Sequence, residues 1–105
     1  MIESEFQKRL KKELKERYPD SYVLKTDCND IQGMPDLLIL YKNKWAALEV
    51  KKNKTASHRP NQDYHVERLN KMSYSAFIYP ENKEEIFNDL DHAFRIKRTT
   101  RVVQS

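Results

Sequence analysis

Residues 33–52, GMPDLLILYKNKWAALEVKK, hold two apolar runs, DLLILY and KWAALEVK, joined through Lys42-Asn43-Lys44. Runs of this length rich in Leu, Ile, Val and Trp between polar breaks predict a β-hairpin, with at least one strand buried on both faces. Three charged residues interrupt the apolar pattern: Asp36 opens the first strand, and Glu49 and Lys51 sit near the end of the second. A carboxylate on a buried strand costs several kcal/mol if it is ionised and unpaired, so Glu49 calls for a bound partner.

Strand side chains alternate with period two, so Glu49 and Lys51 share a face. A hairpin with a short turn brings Asp36 towards that face, at neighbouring strand ends or across a twist. Two like-charged carboxylates stay ionised together only if something neutralises them, and Mg²⁺ suits such hard oxygen donors. An ammonium beside such a pair has a different use: it orients or deprotonates an attacking water, or stabilises the extra charge of a pentacovalent phosphate. Together the three residues point to hydrolysis of a phosphodiester. The plain alternative is a same-face ion pair between Glu49 and Lys51, with Asp36 capping the loop after Pro35.

Outward from the hairpin, Ile2, Phe6, Leu10, Leu14 and Tyr18 recur every fourth residue, predicting an amphipathic helix that ends at Pro19. SYVLKTD, residues 21–27, predicts a strand, and CNDIQGMP is a loop carrying the chain's one glycine. KNKTASHRP is a basic exposed connection. From Pro60 to Met72 the set Tyr64, Val66, Leu69 and Met72 predicts a second helix, with Pro60 in its first turn. YSAFIY, residues 74–79, is a further strand, and Ile86, Leu90 and Phe94 mark a third helix within residues 80–94. The order α-β-β-β-α-β-α is that of an α/β domain with helices packed on a central sheet.

At 105 residues the chain is one domain, read as residues 1–94 followed by a basic tail, residues 95–105, expected to be a mobile arm. Every acidic residue precedes position 95 and balances the cations up to there, so the net charge of +4 belongs to Arg95, Lys97, Arg98 and Arg101. Within the domain, Lys42, Lys44, Lys51, Lys52, Lys54 and Arg59 face Glu49 alone between positions 42 and 59, whereas residues 80–91 are acidic. That polarity offers one face to a polyanion. A single cysteine, Cys28, excludes an internal disulfide framework and a cysteine-rich zinc site, and is read as a packed or idle thiol. No apolar run approaches a signal sequence or membrane span, so the expected location is cytoplasmic, with no membrane partner.

Pro35-Asp36 followed by Glu49-Val50-Lys51 resembles the PD-(D/E)XK nuclease signature. Gly33-Met34-Pro35-Asp36-Leu37 with the later Gln62 is similar to the VRR-NUC branch, close to phage-type and archaeal Holliday-junction resolvases. The resemblance covers residue 2 to about residue 80. It implies a restriction-endonuclease-like α-β-β-β-α-β core, with a central mixed sheet flanked by helices plus a C-terminal helix, and DNA cleavage with Mg²⁺ or Mn²⁺. It further implies metal ligation by Asp36, Glu49 and the Val50 carbonyl, with branched DNA as the substrate. A phage-infected bacterial cell is a setting in keeping with it. Family members often carry Gly between the second helix and the next strand, where this chain has Ser73-Tyr74.

For the first helix, a turn of 100° per residue sets the apolar stripe about 40° from Glu3 and about 120° from Glu5, which favours Glu3 as the inward glutamate. Glu3-Ser4-Glu5-Phe6-Gln7 also matches the family's Glu-x-x-apolar-Gln pattern. Either acid equally suits the helix dipole. Gln62, near the start of the second helix, is expected to orient Lys51 or to contact a phosphate; a surface amide is the alternative. The expected DNA contacts are Lys52, Lys54, His58, Arg59, Tyr64, Arg95, Lys97, Arg98 and Arg101. Cutting a four-way junction symmetrically takes two sites, so a homodimer is expected, with Trp45, Tyr41, Phe77, Tyr79 and Phe87 as candidate interface residues and Trp45 equally suited to the core. Two other functions remain open: an accessory nucleic-acid-binding module with a vestigial site, and a nicking or linear-end nuclease within a larger complex.

Overall fold

The computed structural model describes residues 2–27 and 30–96. Cys28, Lys97, Arg98 and Arg101, to which the sequence assigns roles, lie outside the described residues. Helix α1 (Glu3–Arg17) follows the fourfold apolar spacing, with Phe6, Leu10 and Leu14 buried, acids in its first turn and Lys15 and Arg17 in its last. Both charge placements complement the helix dipole. Tyr18 caps the helix, and its side chain is fully buried. Ile2 departs from the expected stripe: it is the extended N-cap residue, outside the helical repeat, and is 59% exposed.

Strands β1 (Tyr22–Lys25), β2 (Leu37–Tyr41), β3 (Lys44–Val50) and β4 (Tyr74–Ile78) form one sheet in that spatial order. The first two pairings are antiparallel, and β3 pairs with β4 in parallel. Helix α2 (Pro60–Met72) makes the crossover that a parallel pair requires. A short 3₁₀ turn (Pro80–Asn82) then leads into helix α3 (Lys83–Ala93). The expected α-β-β-β-α-β core with a C-terminal helix is therefore present, and its sheet is mixed. Ser73, where a glycine was the alternative, sits at φ −149°, so the turn into β4 needs no left-handed residue, and its hydroxyl donates to the Trp45 carbonyl.

The core lies on one face of the sheet, where Leu37 and Ile39 of β2 and Ala46, Leu48 and Val50 of β3 meet Phe6, Leu10 and Leu14 of α1 and Ile86, Phe87 and Leu90 of α3. Helix α2 covers the opposite face over β3 and β4, which is why residues 46–50 are all buried. Only Val66 of α2 is fully buried and Leu69 partly so, while Tyr64 and Met72 are 54% and 62% exposed. The expected stripe overreached because residues two apart on a helix lie about 200° around the axis from one another, so Tyr64 cannot share the Val66 face. Tyr41 packs with Tyr18 and Phe94, and Phe87 is core, so neither is spare for an interface; Trp45 is half-buried. Beyond α3, Arg95 and Ile96 fold back on the helix through backbone bonds to His92 and Asp91, and Ile96 packs against the core. The Asp91 carboxylate joins α1 to α3, accepting from the Tyr18 hydroxyl at 2.5 Å and from Arg17 Nη2 at 2.5 Å.

Candidate active site

The hairpin turn is two residues long, Lys42 and Asn43, so Tyr41 pairs with Lys44 and the register runs down to Leu37 opposite Leu48. One further step sets Asp36 opposite Glu49. A second bond fixes Asp36 there: its Oδ2 accepts from the Val50 N–H at 2.9 Å. On the other side its backbone carbonyl accepts from the Thr26 N–H at 2.8 Å, so Asp36 is held between β1 and β3.

Glu49 is 3% exposed and Lys51 8%. Gln62 links them. Its Oε1 accepts from Lys51 Nζ at 2.9 Å and from the Arg59 N–H at 3.1 Å, while its Nε2 donates to Glu49 Oε2 at 3.0 Å. Lys51 Nζ itself lies 3.9 Å from Glu49 Oε2, so the ion pair is loose and the amide does the bridging. The Gln62 position depends on Gly33. At φ +88° Gly33 takes a left-handed conformation, and a Cβ there would stand 2.8 Å from the Asn61 carbonyl carbon. A glycine thus lets the loop carrying Pro35 and Asp36 lie against the first turn of α2.

The Glu49 carboxyl is pushed up to about 8, chiefly by burial and next by the Asp36 charge, with Lys51 opposing the rise. Its Oε1 is buried with no hydrogen-bond partner in the protein. An orphaned carboxylate oxygen beside a second carboxylate is a poor way to pack a core and a good way to receive a cation. Among the described residues no group of three or more His, Cys, Asp or Glu side chains converges on one point. Asp36 and Glu49, with the Val50 carbonyl that the resemblance adds, are the candidate donors, and such a set fits Mg²⁺, an ion that binds through one or two carboxylates and keeps several waters.

An open depression of about 750 Å³ adjoins these groups, lined by Glu3, Lys51, Lys52, Asn53, Thr55, Ala56 and Ser57. Glu3 takes part in this wall and Glu5 does not. Of the other sequence candidates, Lys54, Arg59 and Tyr64 are exposed, and Arg95, exposed at φ +59°, follows α3. His58 stacks on Phe77 and contacts Asp63. The roles of Asn61, Asp63 and Phe77 escaped the sequence reading, since only the strand register and the Gly33 contact reveal them. A second depression of about 570 Å³ has Phe6, Arg9, Glu13, Glu16 and Lys83 on its wall, and there Lys83 is paired with Glu13.

The sheet order and helix placement make an α/β core, a mixed four-stranded sheet flanked by helices. A solved structure named VRR_NUC domain protein has the same fold, with a TM-score of 0.67 over 99% of this chain and 97% of that one, at 16% identity. No protein-family model and no curated protein matches the sequence. Among the described residues no helix is long and apolar enough to cross a membrane.

Proposed function

We propose that the protein is a metal-dependent DNA endonuclease that hydrolyses phosphodiester bonds, with branched DNA such as a four-way junction as its preferred substrate. The observation that carries this reading is the facing pair Asp36 and Glu49, with an orphaned Glu49 oxygen and Lys51 held beside it by Gln62. The VRR-NUC fold supports it. Asp36, Glu49 and the Val50 carbonyl would hold Mg²⁺ or Mn²⁺, which when bound supplies charge neutralisation and Lewis acidity towards a phosphoryl oxygen. Lys51, fixed at 2.9 Å from the Gln62 amide oxygen, aims its ammonium at the attacking water or at the charge that builds on the pentacovalent phosphorus. Glu3, in the wall of the depression, orients that water. Lys52, Lys54, Arg59 and Tyr64 lead the DNA backbone to the site.

The direct test incubates the purified protein and Mg²⁺ with matched linear, flap and four-way-junction DNAs. Junction cleavage that is abolished in Asp36→Ala and Glu49→Ala, with DNA binding retained, is the expected result. Binding without cleavage of any substrate leaves an accessory module, and preference for nicks or linear ends leaves a nuclease of that kind. Symmetric junction cleavage further requires two sites, so the proposed active form is a homodimer. Sedimentation at micromolar concentration checks it, and a monomer both free and on junction DNA overturns it.

A further inference from the structure

The histidine that the sequence places among the phosphate contacts is held by an aromatic ring and a carboxylate. The His58 ring lies on the Phe77 ring with centroids 3.9 Å apart and planes 13° from parallel. Phe77 is the β4 residue paired with Glu49, so its ring projects from the same sheet face as the carboxylates. His58 Nδ1 is 3.0 Å from Asp63 Oδ1. An ionised carboxylate only accepts, so this contact assigns the Nδ1 hydrogen to the bond.

The next residue completes the chain of contacts. The Arg59 N–H donates to the Gln62 oxygen that also takes Lys51, and the Gln62 amide nitrogen donates to Glu49. The loop before it, residues 52–59, is fixed near its start by Asn53, whose Oδ1 accepts from the N–H and the hydroxyl of Thr55 at 3.0 Å. His58 fixes its end.

We propose that His58 is a positioning residue: by stacking on Phe77 and bonding Asp63 it sets the start of α2, and so holds Gln62 between Lys51 and Glu49. The inference rests on the phosphodiesterase reading for its effect on rate, and on the geometry alone for its effect on Gln62.

The test compares His58→Ala, His58→Phe and His58→Lys in the full chain with Mg²⁺ and junction DNA. His58→Ala is expected to slow single-turnover cleavage at saturating DNA by about tenfold or more, because small misplacements of catalytic groups are costly, while DNA affinity stays within about twofold. His58→Phe keeps the stack and restores most of the rate; His58→Lys keeps a cation and does not. A phosphate-contacting histidine gives the opposite pattern, with Lys rescuing, Phe failing, affinity falling and the salt dependence of binding flattening, and that pattern overturns the proposal. Hydrogen exchange of the Gln62 side-chain amide, read by ¹⁵N NMR without metal or DNA, separates the two levels. Its protection should fall in His58→Ala and in the milder Asp63→Ala, and persist in His58→Phe. Unchanged protection in both Ala variants overturns the inference even if the protein is an active nuclease. Lost protection in a protein that cuts no DNA upholds the inference and sinks the nuclease reading.

Discussion

Replacing Glu49 with Gln should make the metal-free protein more stable, and more so at higher pH. The folded-state Glu49 carboxyl titrates near 8 against an ordinary value of 4.5. Between those values the native chain retains a proton that the unfolded chain has released, so stability falls as pH rises through the window and levels off above about 8. At about 1.4 kcal/mol per pH unit the window sets a ceiling of about 5 kcal/mol. Water reaching the open depression and the nearby Lys51 ammonium reduce this, and roughly 2–3 kcal/mol is the expected loss. Glutamine removes the charge and keeps the shape. Its amide oxygen can still accept from Gln62, and its NH₂ can donate to Asp36.

The assay is thermal unfolding of wild type and Glu49→Gln in EDTA from pH 5 to 8.5. Near pH 5 the two midpoints should nearly coincide. By pH 8.5 the variant should lead by roughly 10 °C, from the usual few degrees per kcal/mol in a domain of this size. Taking the difference cancels the other titrating groups common to both chains. Millimolar Mg²⁺ should then raise the wild-type midpoint at pH 8 by mass action and leave the variant almost unmoved. A constant difference across the pH range refutes the buried-charge argument, and an equal Mg²⁺ response in both chains refutes Glu49 as a ligand.

Gly33→Ala should cost roughly 1–3 kcal/mol, since it imposes a left-handed φ on a Cβ that meets Asn61 backbone; chemical denaturation measures this, and cleavage should fall alongside because the Asp36 loop and Gln62 are pushed apart. Asp91→Ala, remote from the site, should lower stability by roughly 2–4 kcal/mol by taking an acceptor from buried Tyr18 and the partner charge from Arg17, and a midpoint unchanged from wild type would show that this junction of α1 and α3 holds nothing. Replacing Lys52 and Lys54 together with Gln should flatten the salt dependence of DNA binding by about two units with little change in the saturated cleavage rate; an unchanged slope means that neither reaches phosphate.

Helix stripes were readable because burial follows the 3.6-residue repeat: Phe6, Leu10 and Leu14 on α1 and Ile86 and Leu90 on α3 all reach the core. The hairpin was readable too, but its register was not. With Lys42-Asn43-Lys44 all in the turn, Asp36 would face Val50 and point to the wrong side of the sheet. The observed two-residue turn sets it against Glu49 instead, with Lys42 at φ +57°. Nothing in the identity of a lysine announces a left-handed conformation, which Asn or Gly would have signalled. The same limit hid the Phe77 stack, since pairing across a parallel ladder depends on a crossover whose length the sequence does not translate into register. Glu49 was legible for the opposite reason, being a charge in an apolar run that no packing argument explains.

The position of the site follows from the one parallel pair in the sheet. Because β3 and β4 run the same way, the crossover helix must begin beside the carboxyl end of β3, where Glu49, Val50 and Lys51 lie. The first turn of α2 therefore brings the positive end of its dipole to the same edge as Lys51. The N–H of its N-cap, Arg59, is spent on Gln62. In the proposed reaction a phosphate would meet that helix end, the ammonium and the two carboxylates at this edge. Neither half suffices: the cationic half would bind phosphates without activating them, and the carboxylates alone would repel them. The parallel pair brings Gln62 of α2 to Glu49 and Lys51, and the antiparallel hairpin supplies Asp36 opposite Glu49, so strand β3, paired on both sides, is the element on which the proposed chemistry depends.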